Sequence, residues 1–202
     1  VTGPDPYLDP TTGVLRNRLG ITDPAELARA EAELTALRLV ELRRTPLPGH
    51  YDLAHLRGFH RFIFGDVYDW AGEPRTVSIG KGHLFCLPQH IDSFAADIFG
   101  RLAGWSYLRE LDRDEFLDRL AELLADINAL HQFREGNGRT QRAFLTQLAD
   151  DAGYQLRWTA MDPATNVEAS KTRAPGRQQT VARHARRPRD RAPASTPAAR
   201  PH

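Results

Sequence analysis

Apolar residues along this chain recur mostly at three- and four-residue intervals, the spacing of one face of a helix. Asp23-Pro24-Ala25-Glu26 combines a capping carboxylate, a first-turn proline and a third-position glutamate, and so predicts a helix start. Leu27, Ala30, Leu34 and Leu37 continue the helical spacing to about Leu42. A loop with two prolines follows over Arg43 to Gly49, and Asp52 is placed to cap a second helix through Phe64 with Leu53, Leu56 and Ile63 on one side. Gly65 to Gly72 reads as a turn-rich connector whose Tyr68 and Trp70 pack in the core. Two more helices are predicted over 90–104 and 112–130, the second apolar at Phe116, Leu120, Leu123, Leu124 and Ile127. After a loop over 131–138 comes a helix over 139–152, with Ala143, Phe144, Leu148 and Ala149 inward and Gly153 as its stop. A last helical piece is read over Pro163 to Ser170.

One segment departs from this period. Thr76-Val77-Ser78-Ile79 is β-prone, Gly80-Lys81-Gly82 is turn chemistry, and Leu84-Phe85-Cys86-Leu87 follows, a pattern that predicts a β-hairpin with a glycine-rich tip. The fold class is therefore all-α, a helical bundle interrupted by one short hairpin.

Charge changes the picture only at the C-terminal end. Net charge is +1, but residues 171–202 hold nine basic residues against Asp190, which leaves residues 1–170 with a deficit of seven. This Arg/Pro/Ala-rich stretch has no apolar period and is read as a disordered basic tail beside one domain over 1–170. Only two of the 27 basic residues are lysine, so arginine richness is general and does not mark the tail as a nucleic-acid arm. The single cysteine, Cys86, allows no internal disulfide, and no Cys/His spacing fits zinc. No apolar run approaches the ~18 residues of a membrane span. Val1 to Asp9 is polar and is not read as a secretory signal. A cytoplasmic protein is the expectation.

The candidate chemistry lies in His131-Gln132-Phe133-Arg134-Glu135-Gly136-Asn137-Gly138-Arg139-Thr140-Gln141-Arg142. Gly136-Asn137-Gly138 before a helix allows backbone N–H groups to face an anion, with the helix N-terminus behind them. Arg139 and Arg142, three apart, share a face beside that pocket, which suits a polyphosphate. Glu135 at the rim is placed to hold Mg²⁺ against phosphates. His131 is suited to accept a proton from a hydroxyl, and Phe133 to anchor the loop. No strand precedes the segment and no Gly-Lys-Ser/Thr ends it, so it is not a P-loop.

The segment resembles the signature of the Fic (filamentation induced by cAMP) domain family, His-Pro-Phe-x-Asp/Glu-Gly-Asn-Gly-Arg-x-x-Arg, at every position except Gln132, where the family usually has proline. Tyr68-Asp69-Trp70-Ala71-Gly72 resembles a family connector, and 76–87 resembles the hairpin called the flap. The resemblance implies a Fic-type helical bundle and a protein adenylyltransferase. In that reading His131 deprotonates a target hydroxyl that attacks the α-phosphate of ATP, and Glu135 binds Mg²⁺. Gly136, Asn137 and Gly138 cradle the α- and β-phosphates, while Arg139 and Arg142 hold the β- and γ-phosphates. The flap residues Ile79, Gly80, Lys81, Gly82, His83 and Leu84 pair with an extended target segment by strand addition.

Gly138, where phosphate-transferring relatives carry lysine, together with Arg142 favours AMP as the transferred group. The family's inhibitory helix pattern, Ser/Thr-x-x-x-Glu-Gly/Asn, does not fit Thr22 to Glu26, which Leu27 follows. The resemblance thus points to the class restrained by a small separate antitoxin supplying that glutamate to Arg142, and within it to type II topoisomerases as targets. The competing reading is a non-catalytic or degenerate domain that binds nucleotide or partner without transfer.

Overall fold

The computed structural model describes residues 4–80 and 84–158. Among them are five α-helices: α1 (Pro24–Arg44), α2 (Leu53–Phe64), α3 (Ile91–Gly104), α4 (Arg113–Leu130) and α5 (Asn137–Asp151). Each predicted helix within the described residues is present, and three start on the expected kind of cap. Asp23 accepts the Glu26 N–H at 2.8 Å, Asp52 the His55 N–H at 2.7 Å, and Asp112 the N–H groups of Asp114 and Glu115 at 3.0 Å. At the end of α5 Gly153 takes a left-handed φ of 84°, the Tyr154 N–H reaches back to the Ala149 carbonyl at 2.8 Å, and the Gly153 N–H to Asp150 at 3.0 Å.

The helices pack α1 on α2, α2 on α5, α5 on α4 and α4 on α3. Phe144 of α5 occupies the middle, edge-on to Tyr51, Phe59 and Phe99. Fully buried Ile63, Leu102, Phe116, Leu120 and Leu148 complete the core around it. Tyr68 is buried as expected and stacks on the half-buried Trp70. Residues 4–23 form no helix. A bridge between Leu8 and Leu15 folds them into a loop, which Asp5 ties to Arg134 at 2.9 Å.

Three expectations are corrected. Leu37 is 65% exposed; the inner face of α1 runs instead through Leu27, Glu31, Thr35 and Leu42. Helix α5 starts at Asn137, two residues earlier than predicted, because Gly136 takes a φ of 80° and Asn137 turns back onto the loop before it. The hairpin is reduced, among the described residues, to one bridge between Gly80 and Leu84 and a Phe85 N–H to Ile79 carbonyl bond of 3.1 Å. Its backbone groups bond elsewhere: Val77 and Cys86 carbonyls accept from the Arg75 side chain, and the Cys86 N–H donates to Ala129 of α4. The predicted helix over 163–170, the tail over 171–202, and Lys81, Gly82 and His83 of the flap lie outside the described residues.

Candidate active site

His131 ends α4 as its C-cap, in a left-handed conformation with φ 41° and ψ 54°. Its Nδ1 lies 3.3 Å from the Asn128 carbonyl. A carbonyl can only accept, so the proton of that bond sits on Nδ1, which in the neutral ring leaves the lone pair on Nε2, the tautomer of a base. The imidazole stacks flat on Phe85, with centroids 3.7 Å apart and planes 6° from parallel. Phe85 also lines a cavity of about 280 Å³ with Leu84, Cys86, Phe94, Asn128 and Ala129.

The loop after His131 is closed by its own residues. The Asn137 side chain accepts the Phe133 N–H at 2.9 Å and donates to the Phe133 carbonyl at 2.7 Å. Its amide thus closes the loop, while its backbone N–H is one of those at the start of α5. Phe133 is buried and stacks on His60 at 3.8 Å. The His60 ring accepts the Gly72 N–H on Nδ1 at 2.8 Å and donates from Nε2 to the Glu135 carbonyl at 3.0 Å. Burial, with Arg139 and Arg61 adding to it, pushes the pKa of His60 down to about 4. Gly136 must be glycine twice over: its φ is positive, and a Cβ there would sit 2.3 Å from the Phe64 ring.

No side chain caps α5, so its first N–H groups, from Asn137 to Arg139, are left for an external acceptor. The Arg142 guanidinium lies beside them, 3.3 Å from where a Cβ on Gly138 would stand. It has no hydrogen-bond or ion-pair partner among the described residues. Burial, and then the positive charge of Arg139, hold its pKa below the ordinary arginine value. Arg139 differs. It pairs with Glu31 of α1, donates to the Thr35 hydroxyl at 3.1 Å, and lies over the Phe64 ring at 4.7 Å. Glu31 is in turn bonded by the Tyr68 hydroxyl, whose pKa is raised by burial and by that carboxylate. Glu135 is 3.6 Å from Arg139, with its side chain 46% exposed. Gln132 is buried to 1%, and neither side-chain polar atom has a protein partner among the described residues.

The structure therefore gathers His131, Glu135, the start of α5 and Arg142 at one end of the bundle. It adds Glu31, His60, Arg75, Phe85 and Asn128, which the sequence pattern did not single out. Glu31 and Thr35 left one trace, as polar residues four apart within an apolar stripe. Nothing in the pattern marked Arg75.

A family model described as Fic/DOC family matches residues 50–149, from just before α2 to near the end of α5. Protein adenylyltransferase VbhT of Bartonella schoenbuchensis is 46% identical over 167 residues, 82% of this chain and 35% of that relative, so the chain spans about a third of its length. Probable protein adenylyltransferase y4lH of Sinorhizobium fredii is 43% identical over 168 residues, covering 82% of this chain and 85% of the relative. Among solved structures, the N-terminal Fic domain of a VirB-translocated effector from Bartonella quintana with bound ADP superposes with a TM-score of 0.76 at 30% identity, covering 81% of this chain and 84% of that one. The match of sequence, bundle and loop is sufficient to place it: the chain belongs to the Fic/DOC family.

Proposed function

We propose that this chain transfers AMP from ATP to a hydroxyl of another protein. The observation that carries the reading is Arg142: a half-buried guanidinium of α5 with no hydrogen-bond or ion-pair partner among the described residues, beside the uncapped start of that helix, which one short loop joins to a histidine whose Nδ1 is bonded to a carbonyl. Such a cation and such N–H groups suit a polyphosphate. The names of the relatives and the ADP bound by the B. quintana domain support the same reading.

In this mechanism Nε2 of His131 takes the proton of the target hydroxyl as its oxygen bonds to the α-phosphorus. The bond from that phosphorus to the bridging oxygen breaks, and pyrophosphate leaves with the electron pair. The N–H groups of Gly138 and Arg139 and the Arg142 guanidinium meet the developing negative charge, so that positioning and electrostatics supply most of the acceleration. Glu135 is the carboxylate for Mg²⁺. Its side chain is half exposed, and no group of three or more metal-ligating side chains occurs among the described residues, a donor set that fits an ion held largely by phosphates and water. Bound there, Mg²⁺ would neutralise phosphate charge. The cavity beside Phe85, lined by Leu84, Phe94 and Asn128 among others, offers a seat of mixed polarity to the target segment laid along Ile79–Leu84.

The same reading makes the chain a cytoplasmic toxin held by a small antitoxin whose glutamate pairs with Arg142, acting on type II topoisomerase subunits. Among the described residues no helix is long and apolar enough to cross a membrane. The binding-only alternative rests on Gln132, whose unsatisfied buried amide sits next to the base.

The experiment is transfer of label from α-³²P-ATP with Mg²⁺ into bacterial lysate proteins, wild type against His131→Ala. A labelled band present only with wild type supports AMP transfer. Thermal stabilisation by Mg·ATP with no labelled band supports the binding-only domain, and label arriving only from γ-³²P-ATP supports phosphate transfer. Relief of growth arrest by a small antitoxin, sought beside the gene and co-expressed, tests that part of the reading, and a harmless protein expressed alone sinks it.

A further inference from the structure

Arg75 is 2% exposed and stands among the largest fully buried side chains. A guanidinium so placed usually meets a carboxylate; among the described residues this one meets only backbone carbonyls. Nε donates to His131 at 2.8 Å, one terminal nitrogen to Val77 at 2.8 Å, and the other to Cys86. The backbone N–H of Arg75 adds a bond to the Gln132 carbonyl at 2.8 Å. The three side-chain acceptors lie on different pieces of chain: Val77 on the incoming limb of the flap, Cys86 on the outgoing limb, and His131 on the catalytic loop.

We propose that Arg75 is a positioning residue that joins the target-binding flap and His131 into one rigid unit. This rests on the reading of His131 as the base and of the flap as the target's seat. Among the described residues the two limbs share little else, one bridge and the Phe85 N–H bond, so the fork of Arg75 does what a ladder does in an ordinary hairpin. At its other end Arg75 grips the peptide planes on both sides of Gln132, those carrying the His131 and Gln132 carbonyls. His131 occupies a left-handed backbone conformation, which side chains rarely adopt without outside support. Rotation of the His131–Gln132 peptide would carry the imidazole away from both Asn128 and Phe85. The same Phe85 belongs to the outgoing limb, so a displacement of the flap reaches the ring through stacking as well. A target segment seated on the flap is thereby registered against Nε2. Lysine cannot replace this arrangement, because a single ammonium lacks the fixed fork that spans three carbonyls.

The test uses the full chain with Arg75→Lys. Mg·ATP affinity is measured by calorimetry, label transfer at saturating α-³²P-ATP, and the His131 tautomer by ¹⁵N NMR of the imidazole. The expected result is ATP affinity within about twofold of wild type, transfer lowered about 100-fold, and a His131 ring that has lost its single Nδ1–H tautomer. Transfer within about threefold of wild type, or transfer that falls only in step with ATP affinity while the tautomer is kept, overturns the proposal. If Arg75→Lys does not fold, hydrogen exchange of the Arg75 Nε–H in the wild-type protein decides it: slow exchange is expected, and exchange at the rate of an exposed arginine overturns it. His131→Ala is assayed in parallel. Undiminished transfer by that variant sinks the base assignment, and the tautomer and exchange measurements still judge Arg75 separately.

Discussion

Arg139 of α5 is paired with Glu31 of α1, 108 residues earlier in the chain, while Arg142 one turn further on has no such partner among the described residues. Two arginines that look equivalent in the sequence are thus unequal in the structure. Arg139 joins two helices through Glu31 and Thr35, and Glu31 joins a third segment through Tyr68. Arg142 keeps its donors for something else.

The inequality separates two substitutions. Arg142→Ala removes a half-buried cation that makes no hydrogen bond or ion pair among the described residues, so folding stability changes little while label transfer falls about 100-fold. Arg139→Ala leaves Glu31 largely buried with its charge unpaired and is expected to lower unfolding free energy by about 2 kcal/mol or more. Urea denaturation of the two variants beside transfer assays measures both. Equal losses of stability would show that Glu31 does not discriminate between the two arginines.

Glycines 136 and 138 divide in the same way. A Cβ on Gly136 would lie 2.3 Å from the Phe64 ring at a φ of 80°, and Phe64 is fully buried with no room to retreat. Gly136→Ala should therefore cost the left-handed penalty of about 1–2 kcal/mol plus the clash. A Cβ on Gly138 would meet only the end of the Arg142 side chain, at 3.3 Å. Gly138→Ala should leave stability within about 0.5 kcal/mol and reduce transfer by crowding Arg142. Thermal melts beside transfer assays separate the two, and a destabilised Gly138→Ala would contradict this geometry.

What the sequence made legible follows from how local each signal is. The Asp23, Asp52 and Asp112 caps act within three residues, and the apolar stripes of α2 to α5 repeat within a turn, so both are readable from spacing alone. The order His131 to Arg142 is local too, and its residue types are what point to the proposed chemistry. Residues whose partners are distant in sequence were hidden. Glu31 reads as a break in an apolar stripe until Arg139 and Tyr68 are beside it. Arg75 stands just before the β-prone run, and the strand pattern misleads because the Val77 and Cys86 carbonyls accept from a side chain and not from the backbone N–H groups of a partner strand. His60 sits on the apolar face of α2 and acquires its role only from Gly72 and Glu135.

Gln132 carries a cost that a substitution should remove. Its amide lies in the interior with neither polar atom bonded to protein among the described residues, and each such unsatisfied group costs about 1–3 kcal/mol. Its backbone carbonyl, which accepts from Arg75, does not depend on the side chain. Gln132→Met keeps the length, removes both unsatisfied atoms, and is expected to raise the urea midpoint with an unchanged slope. A lower midpoint would mean that the amide is satisfied by buried water.

His60 ties stability to pH. In the unfolded chain it titrates near 6.5, whereas burial in the folded protein holds its pKa at about 4. Between those values the unfolded state binds a proton that the native state refuses, so unfolding free energy falls as pH drops from about 6.5 towards 4, and the contribution is fully lost below the folded pKa. A shift of that size corresponds to something on the order of 3 kcal/mol. Burial depresses the pKa of His55 as well, so it contributes in the same direction. Comparison of wild type with His60→Gln isolates the first group, since glutamine can still donate to the Glu135 carbonyl but does not titrate. Urea unfolding at pH 7 and at pH 4.5 is expected to show a smaller loss in His60→Gln than in wild type. Equal losses would mean that His60 is protonated in the folded protein at pH 4.5, and that its bond from Gly72 has already been given up.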